Sequence, residues 1–320
     1  MVWRSPRPLS AAAVVERSNR RLFVKRHHAS VRTLESLAEE HAFLRHLRLR
    51  GAPVVEVLDA VTRGEWTYEV HSTGAGTDLY RDALSWSPFR TSAHARGWRG
   101  AGPPASGGRG LRRPAPSSTA AGGVVHGVRL ARPANGAGTV CGRTPPTGKR
   151  AGGLPMQRAL LPLHEDLAPH LSRLAPLWTH NDWHASNLLW NEDGSVATAL
   201  DFGMSDRTTA VHDLATAIER NTVQWLQPGF PVREQDALAL LDGYQSIRPL
   251  SPAESKALPA LLPLVHAEFA LSELGYFHGV TRSAENTRLA YEYYVGHAEW
   301  FAGEGGRRLL DLLRRRVPAC

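Results

Sequence analysis

Cysteine is nearly absent: Cys141 and the terminal Cys320 are the only two, too few for a disulfide framework or a thiolate metal cluster. Uninterrupted apolar runs are short as well, and none approaches the ~18–20 residues that span a bilayer. The start, Met1-Val2-Trp3-Arg4-Ser5-Pro6-Arg7-Pro8, has no apolar core of the signal-peptide kind. These absences lead us to expect a soluble, cytoplasmic protein with no membrane partner. Acidic residues are missing altogether between Asp82 and Glu165. That gap accounts for the net charge of +8, because ten basic side chains fall within 96–155 and the rest of the chain carries 28 basic against 30 acidic groups. The basicity therefore belongs to one segment rather than to a nucleic-acid-binding surface of the whole protein. With Trp98 as its one aromatic residue, the segment also lacks rings on which bases could stack.

Residues 97–155 hold fifteen of the 29 glycines and eight of the 22 prolines, and hydrophobic periodicity disappears there. Such a composition buries too little apolar area to offset its ordering entropy. Two readings stand side by side, a disordered basic insert and a stretch of GC-rich coding sequence translated out of frame.

Chemistry concentrates farther on. The run Thr179-His180-Asn181-Asp182-Trp183-His184-Ala185-Ser186-Asn187 has the form H-x-D-x-x-x-x-N, and Asp201-Phe202-Gly203 follows fourteen residues after Asn187. Between them, two short apolar runs flank Asn191-Glu192-Asp193-Gly194, which reads as a hairpin that draws Asn187 and Asp201 together. Two carboxylates and an amide in this order suit phosphoryl transfer, where catalysis is mostly positioning and charge neutralisation. Asp182 would accept a proton from a substrate hydroxyl, while Asn187 and Asp201 would hold magnesium, a hard cation that prefers oxygen.

This segment resembles the catalytic and metal loops of the aminoglycoside phosphotransferase and choline kinase superfamily, the small-molecule branch of the protein-kinase-like fold. Val211-His212-Asp213-Leu214-Ala215 is similar to the element whose aspartate steadies the catalytic loop in that superfamily. The resemblance implies an α+β, bilobal fold with a small antiparallel-sheet N-lobe and a mainly helical C-lobe. It implies ATP or GTP with magnesium as cofactors and a hydroxyl of a small molecule as acceptor, with no choice among the acceptors the family uses. His180 would brace the loop through its ring nitrogens.

Upstream, Ala11–Arg17 and Arg21–Arg26 read as strands joined by a tight turn at Ser18-Asn19, and Thr33–Arg50 has helical spacing. By the resemblance, Lys25 would reach the nucleotide phosphates and be held by Glu40, with Glu39 as the other candidate. Val54–Leu58 and Trp66–His71 read as a second hairpin, with Glu69 and His71 at the hinge beside the base. No Gly-rich phosphate loop is evident, and Ser5 to Ser10 stand where its turn would be. The expected organisation is a truncated nucleotide-binding N-lobe over 1–71, hinge and start of the C-lobe over 72–96, the segment 97–155, a catalytic C-lobe over 156–305 and a basic tail over 306–320. Helices are expected from Leu160 to Leu174 and over Asp213–Gln224, Arg233–Ile247, Pro252–Leu274 and Thr287–Ala302. Glu268, Glu273, Tyr276, His278, Tyr291, Tyr293, Tyr294 and Trp300 could furnish a cation-friendly pocket. The competing reading is a catalytically impaired, kinase-like relic that keeps the motif residues without the structure to use them.

Overall fold

The computed structural model describes residues 3–4, 10–80 and 153–317, which divide between two compact units. The first contains described residues 3–4, 10–80, 176–213 and 239–248; the second contains 153–175, 214–238 and 249–317. Residues 5–9 and 81–152, with most of the 97–155 segment and much of the expected hinge and C-lobe start over 72–96, lie outside the described residues, as do Cys141 and Cys320.

In the first unit five antiparallel strands form one sheet, in the order β1 (Trp3–Arg4), β2 (Ser10–Arg17), β3 (Arg20–His28), β5 (Trp66–Ser72), β4 (Val57–Arg63). Strand β2 (Ser10–Arg17) turns into β3 (Arg20–His28) through Ser18 and Asn19, whose φ angles of 50° and 58° match the twist of a two-residue hairpin. The sequence reading missed a short strand ahead of these, β1 (Trp3–Arg4), which pairs with β2. Helix α1 (Leu34–Leu49) begins at a reciprocal cap, in which Thr33 Oγ1 accepts from the Ser36 amide and Ser36 Oγ accepts from that of Thr33. Its buried face carries Leu37, Phe43, Leu44 and Leu47, and also Glu40 and His41.

Strand β4 (Val57–Arg63) starts three residues later than the pattern suggests, because Val54 bridges Ala199 instead of joining the sheet. Strand β5 (Trp66–Ser72) alternates strictly, with Thr67, Glu69 and His71 buried. Register sets Lys25 opposite Glu69 and Phe23 opposite His71, so these four share a face. Two further pairs complete the unit's strands: β6 (Pro176–Thr179) with β9 (Asp206–Thr209), and β7 (Leu188–Trp190) with β8 (Val196–Ala199). Phe43 packs against Trp178 and Phe202 at ring separations of 5.8 and 5.7 Å.

The second unit is helical. Helix α2 (Gly153–Leu167) stops short of the expected Leu174 because Pro169 follows; Ala168–Arg173 tightens into a 3-10 turn. Helices α3 (Ala210–Thr222) and α4 (Glu234–Gln245), of which Ala210–Asp213 and Ala239–Gln245 belong to the first unit, precede α5 (Pro252–Gly275), which opens with a Ser251–Glu254 capping box and Pro252 in its first turn. After a π-helical turn come α6 (Ala284–Ala302) and α7 (Glu304–Arg316). Leu160 of α2, Ala267, Ala270 and Leu271 of α5, and Tyr294 and Ala298 of α6 form one core cluster. The stretch Pro252–Thr281 is long and apolar enough to cross a membrane, but 67% of its most apolar window is buried inside the protein, as in a core helix.

Candidate active site

Strand β6 leads into an irregular loop that holds the motif. Asn181 stands at φ 60°, a left-handed angle that asparagine accepts when its side chain bonds nearby. Its Oδ1 accepts from Thr179 Oγ1 at 2.7 Å and Thr208 Oγ1 at 3.0 Å, and its Nδ2 donates to the Met204 carbonyl at 3.1 Å. The buried Asp213 carboxylate receives the amides of Asn181 (2.8 Å) and His180 (3.3 Å). Burial pushes the Asp213 carboxyl above the usual carboxylate range, although the two amide donors oppose the shift.

His180 is fully buried, and the backbone settles its tautomer. The Asp182 amide donates to Nδ1 at 3.2 Å, so Nε2 carries the hydrogen and donates to the Leu200 carbonyl at 2.7 Å. A neutral imidazole thus ties the loop to the residue before Asp201. Asp182 Oδ2 lies 3.1 Å from Asn187 Nδ2, which also donates to the Asp182 carbonyl at 3.0 Å.

Asp201 follows β8 at φ 52°, and Lys25 Nζ meets its Oδ1 at 2.9 Å. The Lys25 ammonium pulls the Asp201 carboxyl down to about 2, against partial desolvation by its surroundings and against the nearby charge of Asp182. Burial alone would lower Lys25, but Asp201, Glu40 and Glu69 outweigh it and hold the ammonium above its ordinary value.

The ion pair between Lys25 and Glu40 that the resemblance implied is not made. Arg32 takes Glu40 Oε2 at 2.5 Å and reaches the Gly203 carbonyl with its other nitrogen. Glu40 Oε1 is left buried without a hydrogen-bond partner, and Lys25 turns to Asp201. Sequence reasoning missed Arg32 because nothing in its spacing marks it; it closes the loop between β3 and the Thr33 cap.

A cavity of about 550 Å³ gathers these groups, with Val14, Phe23, Leu44, Val55, Leu189 and Phe202 on its apolar side and Lys25, Glu40, His71, Asn187 and Asp201 on its polar side. Gly74 and Gly76 belong to its wall and require glycine: both have positive φ, and a Cβ on Gly76 would stand 2.6 Å from that of Ala197. Among the described residues Asn187 Oδ1 accepts no hydrogen bond, so it and the ionised Asp201 form an all-oxygen donor set that fits a hard cation such as magnesium. Glu69 is not among the lining residues. Its carboxylate is 0% exposed and held by His27 (2.8 Å), His41 (2.6 Å) and His71 (3.3 Å), which keep it ionised well below the usual range despite burial. The segment beside the cavity begins instead at His71 and runs to Asp78.

The sequence matches the phosphotransferase enzyme family over residues 10–98 and 113–250. The chain belongs to that family. Homoserine kinase from Caulobacter vibrioides is 31% identical over 126 residues, covering 34% of this chain and 39% of the relative. Homoserine kinase from Phenylobacterium zucineum is 30% identical over 130 residues, covering 38% of this chain and 39% of the relative. The family likeness to these curated proteins thus spans about two-fifths of their length. In structure the chain is similar to the Plasmodium vivax ethanolamine kinase Pv091845, with a TM-score of 0.54 at 10% identity over 90% of this chain and 79% of that one. That likeness concerns the fold, and it agrees with the expected α+β class of a small antiparallel sheet followed by a mainly helical remainder.

The helical unit of this phosphotransferase-family chain has a cavity of its own, about 350 Å³, whose lining includes the rings of Trp225, His266, Phe269, Phe277, Tyr293 and His297. Of the residues suggested for a cation-friendly pocket, Glu273 and Tyr293 line it, while Tyr294 is buried in the core cluster. A buried relay unforeseen from sequence runs along it: Glu219 Oε1 to His266 Nδ1 at 2.7 Å, and His266 Nε2 to His297 Nδ1 at 2.7 Å. Trp225 stacks on His297 at 3.9 Å.

Proposed function

We propose that the chain transfers a phosphoryl group from a nucleoside triphosphate, ATP or GTP, to a hydroxyl of a small molecule. One observation carries the reading: Lys25, Asn187 and Asp201 line a single cavity, and Asp182 is hydrogen-bonded to Asn187. Asp182 accepts the proton of the acceptor hydroxyl as its oxygen bonds to phosphorus and the bond to the leaving diphosphate breaks. Asn187 and Asp201 hold magnesium, which when bound neutralises charge on the phosphates. Lys25 steadies the phosphates, while His180 and Asp213 keep the loop in register. The relatives named homoserine kinase support a small alcohol as acceptor, and the burial of α5 fits a core helix rather than a membrane span.

Release of nucleoside diphosphate from ATP or GTP, with magnesium and a panel of small alcohols that includes homoserine, tests the reading. Asp182→Asn should retain nucleotide and lose turnover; Asp201→Ala should lose the magnesium dependence of nucleotide binding. Equal ATP affinity for wild type and Asp201→Ala in magnesium would overturn the metal assignment. A second reading, nucleotide binding without turnover, draws on the capture of Lys25 by Asp201 and of Glu40 by Arg32. Tight binding with no diphosphate released for any acceptor would favour it.

A further inference from the structure

We propose that His41, Glu69 and His71 bind one divalent transition-metal ion, zinc or a zinc-like cation, between the small sheet and α1. Strand alternation puts Glu69 and His71 on the inner face of β5, and α1 brings His41 over that face. Glu69 Oε2 lies 2.6 Å from His41 Nε2 and 3.3 Å from His71 Nε2, and the three donor atoms all lie within 4.8 Å of one another. All three residues are buried, and no Lys or Arg side chain among the described residues pairs directly with Glu69. The nearest candidate, Lys25 opposite it in the sheet, is engaged by Asp201. A buried carboxylate surrounded by imidazoles needs a positive charge among them, either a proton on one ring or a bound cation.

Two imidazole nitrogens and one carboxylate oxygen form a donor set for zinc and its neighbours rather than for magnesium. Ligand atoms on a tetrahedral ion with bonds of ~2.0–2.1 Å stand roughly 3.3 Å apart. The His71–Glu69 separation already has that value, and His41 needs to withdraw by roughly 0.7 Å to match it. An outer partner is also in place: His27 holds Glu69 Oε1 through Nε2 at 2.8 Å, and its Nδ1 lies 3.2 Å from Ser10 Oγ. His41 directly follows Glu40 on α1, so an ion here would pin the helix to β5 and fix Glu40, whose charge Lys25 feels.

Titration of the chelator-stripped full chain with Co²⁺, in excess magnesium, tests the site. One equivalent should bind with the strong visible absorption of a low-coordinate ion, and Zn²⁺ should displace it. His41→Gln and His71→Gln, checked for native far-UV circular dichroism, should weaken binding by more than the ~10–100-fold typical of an outer partner, and His27→Gln by about that ~10–100-fold. His266→Gln, in the helical unit, should leave Co²⁺ binding unchanged. If the ligand variants fail to fold, zinc-edge X-ray absorption of the wild type decides, with two imidazoles and a carboxylate oxygen at ~2.0–2.1 Å as the expected shell. No stoichiometric Co²⁺ band, a band indifferent to His41 and His71, or a shell of water oxygens would overturn the proposal and leave a protonated histidine cage around Glu69.

Discussion

Lowering the pH from 7 to 5 should remove about 2 kcal/mol from the stability of the helical unit through one side chain, His297. That imidazole is 4% exposed, and burial, reinforced by His266 and only partly opposed by Glu219, brings it down to about 3 from an ordinary 6.5. The folded state therefore binds fewer protons than the unfolded one. The stabilising contribution is full above about 6.5 and is lost as the pH falls toward about 3. At pH 5 the unfolded imidazole is nearly all protonated and the folded one nearly all neutral, which gives a penalty of about 2 kcal/mol against about 0.2 at pH 7. His297→Gln keeps a hydrogen-bonding side chain toward His266 and cannot titrate. Urea unfolding at both pH values, with amide exchange of α5 and α6 to assign the transition to this unit, measures the difference. The pH-dependent loss should be smaller by about 2 kcal/mol in the variant. Equal losses in wild type and variant would refute the account, as would an NMR titration showing His297 protonated at pH 5.

Three other outcomes follow from single sites. Asn181→Ala should lower stability by about 2–3 kcal/mol in a thermal melt, since it adds left-handed strain to lost side-chain bonds; Asn181→Gly, spared the strain, should lose about half as much. A methyl on Gly76 would meet Ala197 and the Trp190 backbone, so Gly76→Ala should weaken nucleotide binding ~10-fold or more in a fluorescence titration. Gly64→Ala, whose Cβ meets nothing, is the control and should leave binding unchanged. Arg32→Met should destabilise by about 3 kcal/mol because it strands the buried Glu40 carboxylate, and Glu40→Gln added to it should recover part of that loss in a double-mutant cycle.

What the sequence by itself determined is local. The Ser18-Asn19 turn, the Thr33 cap, the alternation of β5 and the hairpin from Leu188 to Ala199 each depend on residues within a few positions of one another. Periods of 2 and 3.6, together with turn and cap chemistry, operate over that range, and they bring Asn187 and Asp201 to the same cavity. They fail where a long-range constraint intervenes: Val54 leaves its strand for Ala199, and Pro169 cuts α2 short. The partners of the charged groups were decided only by tertiary structure. Lys25 and Asp201 are 176 positions apart, and Arg32 and Gly203 are 171 apart. Strand alternation sets His71 beside Glu69, but only the fold brings His27 of β3 and His41 of α1 to the same carboxylate. Ion-pair choice depends on which desolvated carboxylate lies within ~3–4 Å of a cation, and packing alone fixes such distances between remote segments. The same holds for Glu219, His266 and His297, which three helices bring into one buried line.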